Sequence, residues 1–176
     1  MKHIIKIIGV TISLIAFVSC EDFLEEVPLS QASPENYYQT EGQAEAAVVG
    51  AYNALQREGV YGYKMQFFIS DVGRTASWAT EGGLGTLSMS ATTAFLEDIW
   101  KDHYQGINEA NMAISNLPKA DMDENRKNTL IAEVKFLKAL LHFNLVRIYG
   151  NIPYMDKETT SLNDLLVSHT PVSESY

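Results

Sequence analysis

Apolar residues recur at three- and four-residue steps in three stretches of this chain, the spacing of one face of an α-helix. In the first, Ala44, Ala47, Val48, Ala51 and Leu55 align through about Arg57. Thr40 stands before them, with Gln43 placed to complete a capping box. Upstream, Ser33-Pro34-Glu35 has the order of an N-cap followed by a proline at the first helical position, and a short turn through Asn36, Tyr37 and Tyr38 should follow. The second stretch begins at about Ala94. Its stripe is Leu96, Ile99, Trp100, His103, Tyr104, Ile107, Ala110, Ile114 and Leu117, and Pro118 stops it. An acidic turn at Asp121–Glu124 leads into the third. That helix carries Leu130, Val134, Leu137, Leu141, Leu145 and Ile148, runs to Tyr149, and is capped by Gly150 with Pro153 beyond. Two long helices joined by a short polar turn predict an antiparallel hairpin. The expected fold class is therefore mainly α. Ala139-x-x-x-Phe143 followed by Pro153 echoes a tetratricopeptide hairpin, without a 34-residue repeat.

Between Glu58 and Thr93 the helical period is lost. Glycines at 59, 62, 73, 82, 83 and 85 lie among aromatic, serine and threonine residues, which predicts a long loop with short strand-like pieces such as Met65–Ile69. Loops of this length inside a compact domain are usually functional. From Lys157 the chain is polar and Ser/Thr-rich until Pro171-Val172-Ser173-Glu174, which looks like the start of another helix. Three amphipathic faces cover one another only in part, because helical layers depend on the next hairpin to bury their outer side. The expectation is a truncated piece of a longer helical protein, loosely packed and prone to self-associate.

The N-terminus has a different logic. Lys2, His3 and Lys6 precede an apolar run from Ile7 to Val18, roughly twelve residues where a bilayer span needs about twenty. This is the size of a secretory signal. The sole cysteine, Cys20, follows Phe17-Val18-Ser19 and resembles the acylated cysteine of a bacterial lipobox, with Phe17 where leucine is usual. Lipidation would make the protein membrane-anchored; the alternative is ordinary cleavage with Cys20 a bystander. Glu21-Asp22-Phe23-Leu24-Glu25-Glu26 resembles the acidic tract that sends lipoproteins of Bacteroidota-type bacteria to the cell surface, and a plain solvated spacer is the other reading. The resulting organisation is a signal peptide over 1–19, a lipidated acidic spacer over 20–32 and a helical domain over 33–176.

Composition narrows the function. With 46% hydrophobic residues the chain has material for a core. A single cysteine excludes a disulfide framework and multi-cysteine metal sites. Acidic side chains outnumber basic ones 22 to 13, for a formal charge of -9, so no basic surface exists to neutralise nucleic-acid phosphates. His103 and His142 lack a second ligand four residues on and read as packed or surface histidines. Glu97 and Asp98 are neighbours on a helix and point apart. Gly82-Gly83-Leu84-Gly85 lacks the lysine of a phosphate loop, and no nucleophile elbow is present. No catalytic residue, metal site or cofactor is expected, and the chain does not read as an enzyme.

Trp78 stands apart, because no periodic stripe demands it for a core. An aromatic face in a loop can stack on the C–H face of a sugar ring while nearby polar groups take the hydroxyls. Equally, it can fold back onto the body as a local core. Trp100, on a helical stripe, is assigned to the core.

Several segments together resemble the SusD/RagB family of nutrient-uptake lipoproteins: Phe23-Leu24-Glu25 after the cysteine, Pro28, Gly50-Ala51-Tyr52-Asn53 within Ala44–Leu55, and Ala110-Asn111 within Ile107–Ile114. So do Ala132-Glu133-x-x-Phe136-Leu137-x-Ala139 and Tyr149-Gly150-Asn151-Ile152-Pro153. Lys135 and Lys138 stand where the family usually has arginines. The resemblance implies a SusD-like fold of tetratricopeptide-like helical hairpins with a long ligand-facing loop, of which this chain covers the N-terminal part. It also implies capture of oligosaccharides or other nutrients at the outer membrane, handed to a SusC-like TonB-dependent transporter, with Trp78 in the loop that contributes to ligand binding. A lipid-anchored helical scaffold for protein partners, with no small ligand, is the competing reading.

Overall fold

A computed structural model describes residues 37–62 and 88–174 of the chain. The signal and spacer regions, with Cys20, and the middle of the long loop, with Trp78, lie outside the described residues.

Helix α1, Glu41–Asn53, begins as its sequence predicts. The Thr40 side chain accepts from the Gln43 backbone N–H at 3.4 Å, and the Gln43 side chain accepts from the Thr40 N–H at 3.1 Å. Ala44, Val48 and Ala51 are buried, and a 3₁₀ turn at Ala54–Gln56 ends the element. Helix α2, Ala94–Asn116, gives way to a 3₁₀ turn at Leu117–Lys119 where proline removes a backbone donor. Helix α3, Glu124–Tyr149, is capped by Asp123, whose carboxylate accepts from the Arg126 N–H at 2.9 Å. The acidic turn expected from the sequence is thus in part this cap. Gly150 leaves α3 at φ 73, a conformation that suits glycine.

α2 and α3 are antiparallel neighbours. Near their connection Leu117 packs with Leu130, and at the opposite end Phe95 and Ile99 meet Ile148 and Tyr149. α1 lies against both, burying Ala44, Val48 and Ala51 with Ala110, Ala113, Val134 and Leu137. The start of α1 is tied to the α2–α3 turn by Asp121 N–H donating to the Gln39 carbonyl at 2.9 Å. Its exit is pinned to the middle of α2 by Arg57, which makes 2.6 and 2.9 Å contacts with the Glu109 carboxylate. The Gly59 N–H also donates to Asp102 at 2.9 Å.

The polar C-terminal stretch folds back onto the hairpin. Strand β1, Ile152–Pro153, pairs antiparallel with β2, His169–Thr170, with Ile152 opposite Thr170. Between them a 3₁₀ turn at Leu162–Leu165 is boxed by Ser161 and Asp164. The helix start expected at Pro171–Glu174 is a 3₁₀ turn, Val172–Glu174. Phe136 on α3 is left 65% exposed, and Leu162 and Leu166 at the 3₁₀ turn are 83% and 84% exposed.

Candidate ligand-binding site

The described end of the long loop enters α2 through a turn laced by hydroxyls. Ser90 N–H donates to Thr93 Oγ1 at 3.1 Å, and the Ser90 and Thr92 hydroxyls lie 2.9 Å apart. This places Thr92 and Thr93 beside the first turn of α2, where Glu97 is exposed and Trp100 is half-buried. The Trp100 ring leans on Tyr104 with centroids 4.8 Å apart, and meets Tyr149 edge-on at 5.0 Å. Thr92, Thr93, Leu96, Glu97, Trp100 and Tyr149 line an open cleft of about 420 Å³. An apolar ring face flanked by two threonines and a carboxylate can stack a sugar ring and accept or donate to its hydroxyls.

Trp100 packs against the core as its place on the helical stripe predicts. Its side chain stays half-buried, however, and also lines two openings. Thr92 and Glu97 carry no sequence signal of their own, and only their neighbourhood to an aromatic face makes them candidates.

On its other side Trp100 lines a second cavity, of about 390 Å³, between α2 and an irregular strap over residues 153–159. Helix side chains hold that strap by its backbone. Tyr104 donates to the Pro153 carbonyl at 2.7 Å, Asn111 Nδ2 to the carbonyls of Met155 and Lys157 at 3.1 and 2.9 Å, and Lys138 to the Asp156 carbonyl at 2.9 Å. The Thr159 N–H donates to Asn108 at 2.8 Å.

The two helical histidines are packed. His103 and His142 are 0% and 2% exposed, and each Nδ1–H donates to the carbonyl one turn back, of Ile99 at 2.7 Å and of Lys138 at 3.0 Å. Burial lowers both pKa values, that of His142 to about 4. Both rings are therefore neutral at pH 7. Among the described residues, no group of three or more His, Cys, Asp or Glu could hold a metal ion, and no helix is long and apolar enough to cross a membrane.

Comparison with known proteins places the architecture. A SusD-like family model, described as starch-binding associating with outer membrane, matches residues 22–176. SusD-like protein P2 of Formosa agariphila is 29% identical over 170 residues, 93% of this chain and 34% of the relative. SusD-like protein P25 of the same organism is 33% identical over 149 residues, 77% of this chain and 28% of the relative. The chain thus spans about a third of the length of these relatives. Among solved structures, a laminarin-binding SusD-like protein superposes with a TM-score of 0.69 at 27% identity, covering 79% of this chain and 32% of that one.

Proposed function

The chain belongs to the SusD-like family, and from that membership we propose that it is part of a surface lipoprotein that captures glycans and delivers them to a SusC-like TonB-dependent transporter. The observation that carries this reading is the family match across residues 22–176. The laminarin-binding neighbour and the cleft of Thr92, Glu97 and Trp100 support a carbohydrate ligand of neutral sugars. The exposed Leu162 and Leu166 support a protein-facing surface, which we assign to the transporter. No step of turnover is needed: the role is binding and hand-over, without catalysis.

Trp78 is proposed to stack on a sugar ring of the same ligand. In the full-length protein, replacing it with alanine should weaken binding of laminarin oligosaccharides by roughly 1–2 kcal/mol, since such contacts rest on aromatic burial. Isothermal calorimetry checks this, and unchanged affinity would return Trp78 to a packing role. Retarded migration in laminarin- or starch-containing gels tests the family-level reading separately from that residue.

Cys20 is proposed as the lipidated mature N-terminus, which anchors the protein at the outer membrane, exposed at the cell surface. Mass spectrometry of protein expressed with its own leader should find cleavage before Cys20 and acyl chains on it. An unmodified Cys20, or cleavage elsewhere, would remove the anchor from the proposal.

A further inference from the structure

The cavity between α2 and the 153–159 strap is lined along the helix at four-residue steps. Trp100, Tyr104 and Asn108 follow one another on one face of α2, about 6 Å apart along its axis. Two aromatic rings are thus succeeded, one turn on, by an amide. The space beside them is about 390 Å³, within the roughly 300–1,000 Å³ of small-molecule sites. None of the described residues that line it bears a formal charge.

The amide is oriented and only half engaged. Asn108 Oδ1 accepts from the Thr159 N–H at 2.8 Å, which settles which end of the amide is the nitrogen. That Nδ2 and the Thr159 hydroxyl have no hydrogen-bond partner among the described residues. Both residues are half-buried and line the cavity, as Trp100 and Tyr104 do. The Tyr104 hydroxyl is by contrast engaged on the Pro153 carbonyl, and Asn111 Oδ1 is closed off among packed atoms. The cavity therefore offers two aromatic rings, an amide donor, and a hydroxyl that donates or accepts. We propose that it is a second saccharide subsite, which takes one neutral glucose-type ring and rejects uronic and sulfated sugars. This rests on the reading that the protein captures glycans. The C–H face of such a ring stacks on Trp100 or Tyr104, and hydroxyls at its edge meet Asn108 and Thr159. A carboxylate or sulfate would enter with no cation to pair with, a cost that one amide donor does not offset. Trp100 lines this cavity and the cleft of Thr92 and Glu97 alike, so the two can hold units of one glycan.

Methyl spectra of the full chain labelled at methionine test the proposal. Met155 lines the cavity, and no described methionine lines the other cleft. Its signal is assigned by its loss in Met155→Leu. Glucose should shift the Met155 methyl saturably, and glucuronate, the same ring with a carboxylate, should leave it unmoved. Thr159→Val removes the hydroxyl but keeps the N–H that Asn108 accepts, so the strap stays held. It should weaken glucose binding about three- to tenfold, the size of one lost hydrogen bond. Leu165→Trp, which fills the cavity from a side chain already 56% exposed, should abolish the shift. The two sugars on the unaltered protein decide the matter even if that variant misfolds. A Met155 methyl that glucose does not move, or that glucuronate moves equally, would overturn the proposal, as would unchanged glucose affinity in Thr159→Val. Gel retardation by laminarin reads capture separately. Retardation with an unmoved Met155 removes this subsite and leaves capture standing. A glucose-shifted Met155 in an unretarded protein supports the subsite and removes laminarin capture.

Discussion

Gly106→Val is expected to lower the stability of the folded chain by about 2 kcal/mol, even though valine is the better helix former. Glycine inside a helix costs roughly 1 kcal/mol relative to alanine, so its presence in the middle of α2 needs a reason. A Cβ placed there would stand 2.8 Å from the Ala54 Cβ and 2.9 Å from Leu141 Cδ1. Three elements converge at this point: the exit of α1, α2 and α3. The leucine can rotate away, but the Ala54 Cβ is fixed to its backbone, so added carbons force the elements apart. Overpacking of this kind typically costs about 1–3 kcal/mol. Gly50→Ala, on the exposed face of α1 with nothing within 4 Å of its added Cβ, is the control. It should raise stability by up to about 1 kcal/mol through helix propensity alone. Urea melts of the two variants should therefore move in opposite directions, and parallel shifts would show that the convergence at Gly106 is not tight.

Acid should unfold the chain partly through His142. Its ring is buried against Tyr154, with centroids 4.5 Å apart, and burial is the main cause of its lowered pKa. The ammonium of Lys138, one turn back, further opposes a second positive charge. The folded value of about 4 lies below the 6.5 of the unfolded chain, so the unfolded state takes up the proton first. Stability is then full above pH 6.5 and falls as the pH drops toward 4. Over that window the loss from this residue amounts to about 3 kcal/mol. His103 acts in the same direction. Carboxylates also contribute to acid unfolding, so the measurement is a difference between variants. His142→Phe keeps a ring against Tyr154 and should lose less stability between pH 7 and pH 5 than the parent, by roughly 2 kcal/mol. Identical pH slopes in the two proteins would mean that His142 accepts its proton without unfolding.

The three main helices and most of their ends were legible in the sequence because the forces behind them are local. A Thr40–Gln43 box, Pro118 and Gly150 act within one helical turn, and apolar spacing of three and four residues marks the faces that become buried. The family was legible too, since the segments that resemble it span most of the chain. The fate of each face was decided only in three dimensions. Trp100 sits on a helical stripe and packs against the core like its neighbours, yet it stays half-buried and also walls two openings. The strap from Pro153 to Thr159 carries no periodic signal, because it is held by its backbone: Asn108, Asn111 and Lys138 reach it from more than fifteen residues away in sequence. Gly106 is a poor helix former by propensity, and only the approach of Ala54 and Leu141 gives it a reason to be there. Periodicity reports which residues must leave water. Which partner receives them depends on contacts between distant segments, and those exist only once the chain has folded.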